Sequence, residues 1–168
     1  KAIKRLTDDR AKVSCHYFIK RSGQIILMVP ELYEAWHAGK SKWKKDISLN
    51  KNSIGIEISN KGHDFKYENF SKSQIFSLIK LSKYLIKKYN IKRSNILGHS
   101  DIAYERKKDP GEKFPWAYLS KNGVGFYPSK EMLKKSRFTD GDKNIKFFFR
   151  NLNKIGYRYL RQKFKKKI

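Results

Sequence analysis

The chain has 168 residues, with 40 Lys+Arg against 15 Asp+Glu and a formal net charge of +25. This length fits one domain with a small appendage, and an aromatic content of 14% supplies enough bulk for a core, which excludes a wholly disordered chain. The single cysteine, Cys15, excludes an internal disulfide and a cysteine-based zinc cluster, and no apolar run reaches the roughly 18–20 residues that span a bilayer.

Such a charge attracts polyanions, among them nucleic acid, anionic envelope polymers and acidic membranes. It is spread along the chain: residues 129–168 hold 14 basic and three acidic side chains, and the remaining basic residues lie in 1–128. Lysine that merely fills solvated positions explains the excess equally well. The chain opens Lys1-Ala2-Ile3-Lys4-Arg5, without an initiator Met or an apolar targeting segment.

Residues 2–11 read as the end of a helix with Ile3 and Leu6 on one face. Residues 13–19 and 24–29 are rich in β-formers and flank Lys20-Arg21-Ser22-Gly23, a hairpin turn. Alternation around Cys15 makes it a small buried thiol. A loop carries Ala35-Trp36-His37-Ala38-Gly39. Residues 54–59 read as a strand with Ile54, Ile56 and Ile58 on one face and Glu57 on the other. Ser71-x-x-Gln74 is a capping box, followed by a helical repeat of apolar residues to Asn90, a C-terminal cap. Asn95–His99 reads as a brief buried strand, and Pro115-Trp116 starts a short helix. Residues 122–129 mark a boundary, beyond which 145–159 has helical period with a break near Gly156; the tail Lys163–Lys167 reads as frayed. This order predicts an α/β domain with a mixed sheet.

Three pieces carry chemistry. His99 and Asp109 flank a loop at ten positions' separation, and an imidazole with a carboxylate suits Zn²⁺; a loop histidine bonded to Asp101 satisfies the same spacing. Glu57 on an otherwise apolar strand faces either solvent or a cleft, and in a cleft it is a general base. Trp36 and His37 among small residues read as a pocket wall or as core.

Taken in order, Val13-Ser14-Cys15-His16-Tyr17, Ala35-Trp36-His37-Ala38-Gly39, Ser53-Ile54-Gly55-Ile56-Glu57, Gly98-His99-Ser100-Asp101-Ile102-Ala103 and Lys107-Lys108-Asp109-Pro110-Gly111 resemble the type 2 N-acetylmuramoyl-L-alanine amidases, relatives of peptidoglycan recognition proteins. The resemblance implies a mixed β-sheet flanked by helices, zinc-dependent cleavage of the bond between N-acetylmuramic acid and L-alanine, and a peptidoglycan or muropeptide substrate. It makes His99 and Asp109 zinc ligands, Glu57 the catalytic base, Lys107 the stabiliser of the tetrahedral oxyanion, and Trp36 and His37 substrate-binding. His16 falls on a packing or orienting position, and His63 is given no role.

The family also has a first zinc histidine on a strand that would lie upstream of residue 1. The expectation is therefore an N-terminally incomplete amidase domain over 1–128, with a degenerate copy or substitution by His37 or His16 as the other accounts. Residues 129–168 resemble a truncated helical peptidoglycan-binding module, or else form a terminal helix packed on the first domain. The functional alternative is a catalytically impaired peptidoglycan-binding module. The expected setting is bacterial, at the periplasm or cell envelope or else in the cytoplasm. The chain is expected to be a monomer that associates with anionic envelope surface. Nucleic acid is not expected, because the aromatics are not interleaved with Lys/Arg in a binding motif.

Overall fold

β-Forming residues on either side of Lys20–Gly23 close the first hairpin, β1 (Tyr17–Ile19) against β2 (Ile25–Leu27), in the computed structural model. The structure describes residues 2–129, 131–132 and 142–158, with side chains of the last segment from Phe147 onward. A third strand, β3 (Ile56–Ile58), runs parallel to β1 with Phe18 opposite Glu57, giving the order β2-β1-β3. The sheet is mixed, as its residue pattern predicts. The strands are shorter than the sequence suggests. Past Tyr17 the His16 carbonyl accepts from both Met28 and Val29 N–H, at 2.9 and 3.4 Å, so regular pairing stops there.

The register divides the sheet's faces. Tyr17, Ile19, Ile56 and Ile58 pack with Ile75, Leu78, Ile79 and Leu85 of a long helix in the main core. Three short helices precede or follow that helix: α1 (Ala2–Leu6), α2 (Leu49–Asn52) and, after the long α3 (Lys72–Tyr89), α4 (His99–Ile102). In α3 the Ser71 hydroxyl accepts from Gln74 N–H at 3.1 Å, the Gln74 side chain returns to Ser71 N–H at 3.0 Å, and Asn90 closes the helix with φ 51°. Sequence and structure agree on both ends of this helix. α5 (Trp116–Lys121) follows Pro115 and inserts Leu119 into the same core.

Residues 95–99 do not form the expected strand. Arg93–Asn95 is a 3-10 turn and Ile96 is extended, but it has no ladder partner among the described residues. The chain turns helical at His99 because the Asp101 carboxylate accepts from Gly98 N–H at 2.8 Å, fixing the first turn of α4.

The last helix, α6 (Asp142–Ile155), begins before the expected start and ends at Gly156. Its end sits on the body of the molecule. Lys44 N–H bonds the Gly156 carbonyl at 2.8 Å, the Tyr157 ring meets Trp43 edge-on at 5.2 Å, and the Tyr157 hydroxyl donates to Asp101 at 2.5 Å. The expected frayed tail lies outside the described residues.

Candidate active site

The face of the sheet turned away from α3 carries the functional candidates. Glu57 leaves β3 on this face because its neighbours Ile56 and Ile58 are committed to the core. It is exposed by accessible area yet recessed among protein atoms. Burial raises its carboxyl above the ordinary range, the Asp109 charge adds to this, and His99 and Lys107 oppose it. A carboxylate with raised proton affinity that still meets water has the properties of a general base.

His99 opens α4, and its Nδ1 lies 3.1 Å from Asp109 Oδ2. Asp109 is held from behind, since Ser100 N–H donates to its backbone carbonyl at 2.9 Å. Burial would raise the Asp109 carboxyl, but the hydrogen bond and charge of His99 outweigh it and hold the group below its usual value. The other ring nitrogen of His99 lies 3.1 Å from the Ala38 carbonyl. One ring nitrogen of His99 thus faces the Asp109 carboxylate and the other the Ala38 carbonyl, which fixes the orientation of the ring. Lys107 acts electrostatically on both Glu57 and Asp109. Of the four residues that the motifs assign to chemistry, His99 and Asp109 are in contact, and Glu57 and Lys107 are near enough to Asp109 to act on it electrostatically.

The loop before α2 forms a wall. Asn50 Oδ1 accepts from Ala38 and Gly39 N–H, at 2.8 and 3.2 Å, and the Trp36 backbone is tied to Ser14 through the Ser14 hydroxyl at 2.7 Å. The Trp36 indole is 49% exposed, so it stands at the rim and is not a core residue. His37 is half-buried, with Nε2 3.3 Å from the Ser53 carbonyl. Burial, then the neighbouring His16, push its imidazole down to about 4, so it is neutral. Its ring lies flat against Gly55, where a Cβ would come within 2.2 Å of His37 Cγ. His16 is buried with both nitrogens engaged: Nδ1 accepts from Gly55 N–H and Nε2 lies against the Tyr33 carbonyl, each at 3.0 Å. Cys15 is likewise buried. Burial, then the Glu57 charge, push its thiol up to about 12, so it packs as a small apolar group.

Two residues escaped the sequence reading. Arg106 donates from Nε to the Lys40 carbonyl at 3.0 Å, bonds the Ala38 carbonyl, and brings Nη2 within 3.4 Å of His99 Nε2. It braces the wall loop against His99; its place within the same loop as Lys107 and Asp109 was the available signal. His63 pairs with Glu112 at 2.9 Å and stacks on Tyr67, with ring centroids 4.4 Å apart. No local motif announces that contact.

His99 and Asp109 match zinc in donor type, but catalytic zinc sites take three protein ligands. Among the described residues no group of three or more His, Cys, Asp or Glu side chains is placed to hold a metal. The donor set among the described residues agrees with zinc in kind and falls one short in number.

The mixed sheet thus carries a His–Asp pair with a carboxylate and a lysine near enough to act on it electrostatically. The family model described as N-acetylmuramoyl-L-alanine amidase matches residues 1–112, and the chain belongs to that family. It is 41% identical over 142 residues to the N-acetylmuramoyl-L-alanine amidase AmiD of Escherichia coli strain K12, covering 77% of this chain and 51% of that protein. It is 39% identical over 111 residues to the 1,6-anhydro-N-acetylmuramyl-L-alanine amidase AmpD of Haemophilus influenzae, covering 65% and 58%. The chain thus spans little more than half the length of these relatives. Among solved structures, E. coli AmiD in complex with anhydro-N-acetylmuramic acid-L-Ala-D-gamma-Glu-L-Lys superposes with a TM-score of 0.83 at 34% identity, covering 96% of this chain and 68% of that one. AmpDh3 of Pseudomonas aeruginosa in complex with anhydromuramic pentapeptide gives 0.81 at 30% identity, covering 96% and 70%.

Proposed function

We propose that this chain hydrolyses the amide between the lactyl group of N-acetylmuramic acid and L-alanine, with anhydro-muropeptides as substrate. The observation that carries the reading is the convergence of Glu57 and Lys107 on the His99–Asp109 pair, whose ring nitrogen and carboxylate lie 3.1 Å apart. Glu57 accepts a proton from the attacking water and delivers it to the leaving amine, work suited to its raised proton affinity. Lys107 carries charge that develops on the amide oxygen. Trp36 offers an exposed aromatic face for the sugar or the stem peptide at the rim. A zinc ion held by His99, Asp109 and a third ligand would supply Lewis acidity and a water of lowered pKa. His16 cannot be that third ligand without giving up its bonds to Gly55 and Tyr33.

The test is release of stem peptide from anhydro-muropeptide, followed by mass spectrometry, alongside zinc content. Glu57→Gln should lower kcat by roughly 10²–10⁴ and keep its zinc, because a base is not a ligand. Asp109→Ala should lose both. Equal zinc retention in the two variants would mean these roles are wrongly assigned. A second reading is a peptidoglycan-binding module without turnover, and a wild-type chain that retains muropeptide but never cleaves it would establish that instead.

A further inference from the structure

The turn that carries Asp109 is fastened from the side opposite His99. Residues 110–113 lie against the loop at 63–67, far away in sequence and joined to it by four contacts. The Tyr67 hydroxyl donates to the Pro110 carbonyl at 2.6 Å and accepts from Lys113 N–H at 3.2 Å. The Lys113 ammonium returns to the Tyr67 carbonyl at 2.8 Å. His63 stacks on the Tyr67 ring and reaches Glu112 at 2.9 Å. Gly111, at φ +82°, sits so close that a Cβ there would fall 2.7 Å from the Tyr67 hydroxyl.

Tyr67 itself has a fixed seat. Its ring meets Phe70 edge-on at 6.3 Å, and Phe70 meets the buried Phe114 at 5.2 Å. The hydroxyl is thus referenced to the main core, while the carbonyl it holds belongs to the residue directly after Asp109. On the other side Ser100 N–H holds the Asp109 carbonyl. Asp109 is 58% exposed at its side chain, so packing alone does little to aim it. A short exposed turn held only at its α4 end would leave that carboxylate several rotamers and backbone states.

We infer that Tyr67 is a positioning residue that aims Asp109 at His99 by holding the Pro110 carbonyl. Its consequence for turnover rests on the amidase reading; the tether does not. His63 and Lys113 serve the same turn, His63 by seating the Tyr67 ring and Lys113 by closing the loop from the other strand of contacts.

The experiment compares the full chain with Tyr67→Phe, which keeps the ring and its packing and deletes only the hydroxyl. Two readouts are taken without metal. Hydrogen exchange of the Ser100 amide should speed up roughly tenfold as the turn opens locally, and the His99 ring-nitrogen resonances should move as its contact with Asp109 loosens. With zinc added, the dissociation constant should rise roughly tenfold, the scale expected for a residue that supports a ligand from behind. In turnover, kcat per folded molecule should fall while KM stays within about twofold, with the folded fraction checked by circular dichroism to match wild type. Unchanged Ser100 exchange and unchanged His99 resonances in a folded variant would overturn the inference. An inactive wild-type chain would count against the amidase reading, and the two metal-free readouts would still decide the role of Tyr67. Should Tyr67→Phe fail to fold, His63→Gln loosens the same turn more gently and must move the same two signals, or the inference falls.

Discussion

At the scale of single residues, Gly55 has the least freedom. Its N–H serves His16 Nδ1, its carbonyl accepts from both His16 and Tyr17 N–H, and a Cβ added to it would meet His37 Cγ at 2.2 Å. Adding a methyl group must push away a ring that also meets His16 edge-on, with centroids 5.5 Å apart. Gly55→Ala should therefore cost roughly 1–3 kcal/mol, the range for overpacking a filled site, read as a lowered urea midpoint. His37→Ala in the same chain should return part of that loss. Additive losses in the double variant would show that the two residues are not in the contact described.

Between elements, a cluster of polar ties joins β1 and the loop after β2 to α3 through Glu31. Its carboxylate accepts from Tyr17, Tyr89 and Lys88, the last at 2.5 Å. Burial would raise this carboxyl, but the bonds from Lys88, Tyr17 and Tyr89 outweigh it and bring it down to about 2, from 4.5 for a free glutamate. The folded form thus binds its proton less readily than the unfolded chain does. The stability that follows is present above about pH 4.5 and drains away as pH falls toward 2. Wild type should accordingly lose more of its melting temperature than Glu31→Gln between pH 5 and pH 2, roughly the window set by these two values. Parallel curves would show that Glu31 contributes nothing through its charge. The cap of α3 is a second inter-element joint, because the Ser71 hydroxyl accepts from Gln74 and also donates to the Arg21 carbonyl at 2.8 Å. Ser71→Ala should lower stability by about 1 kcal/mol, measured by thermal unfolding. A change lost within experimental error would mean that water replaces the cap without cost.

For the whole molecule the governing quantity is the charge of +25. α3 contributes five lysines and no acidic residue, and its outer face lies across the sheet from the Glu57 cleft. Association with anionic wall polymer or vesicles should therefore be electrostatic and should weaken between about 0.01 and 0.15 M salt, as the screening length falls from about 30 to about 8 Å. Co-sedimentation across that range checks this. Binding insensitive to salt would assign it to the cleft, with its exposed Trp36, and not to the lysines.

Local patterns determined α3 completely. A capping box, a helical repeat and an αL cap are all encoded within twenty residues, and their hydrogen bonds close within the same segment. The direction of Glu57 was equally legible, because side-chain alternation in a strand needs no partner to be read. The approach of His99 to Asp109 was legible through their motifs, since each motif reflects a turn shaped by its own residues. The strand expected at 95–99 failed for the opposite reason. A strand exists only where a neighbour pairs with it, and Asp101 instead fixes a helical turn beginning at His99. Tertiary structure alone decided the grip of Tyr67 on Pro110 across 43 positions and the brace of Arg106 on Ala38 across 68. Such contacts join surface loops whose sequences carry no periodicity, and only the core that seats both partners brings them within hydrogen-bonding distance.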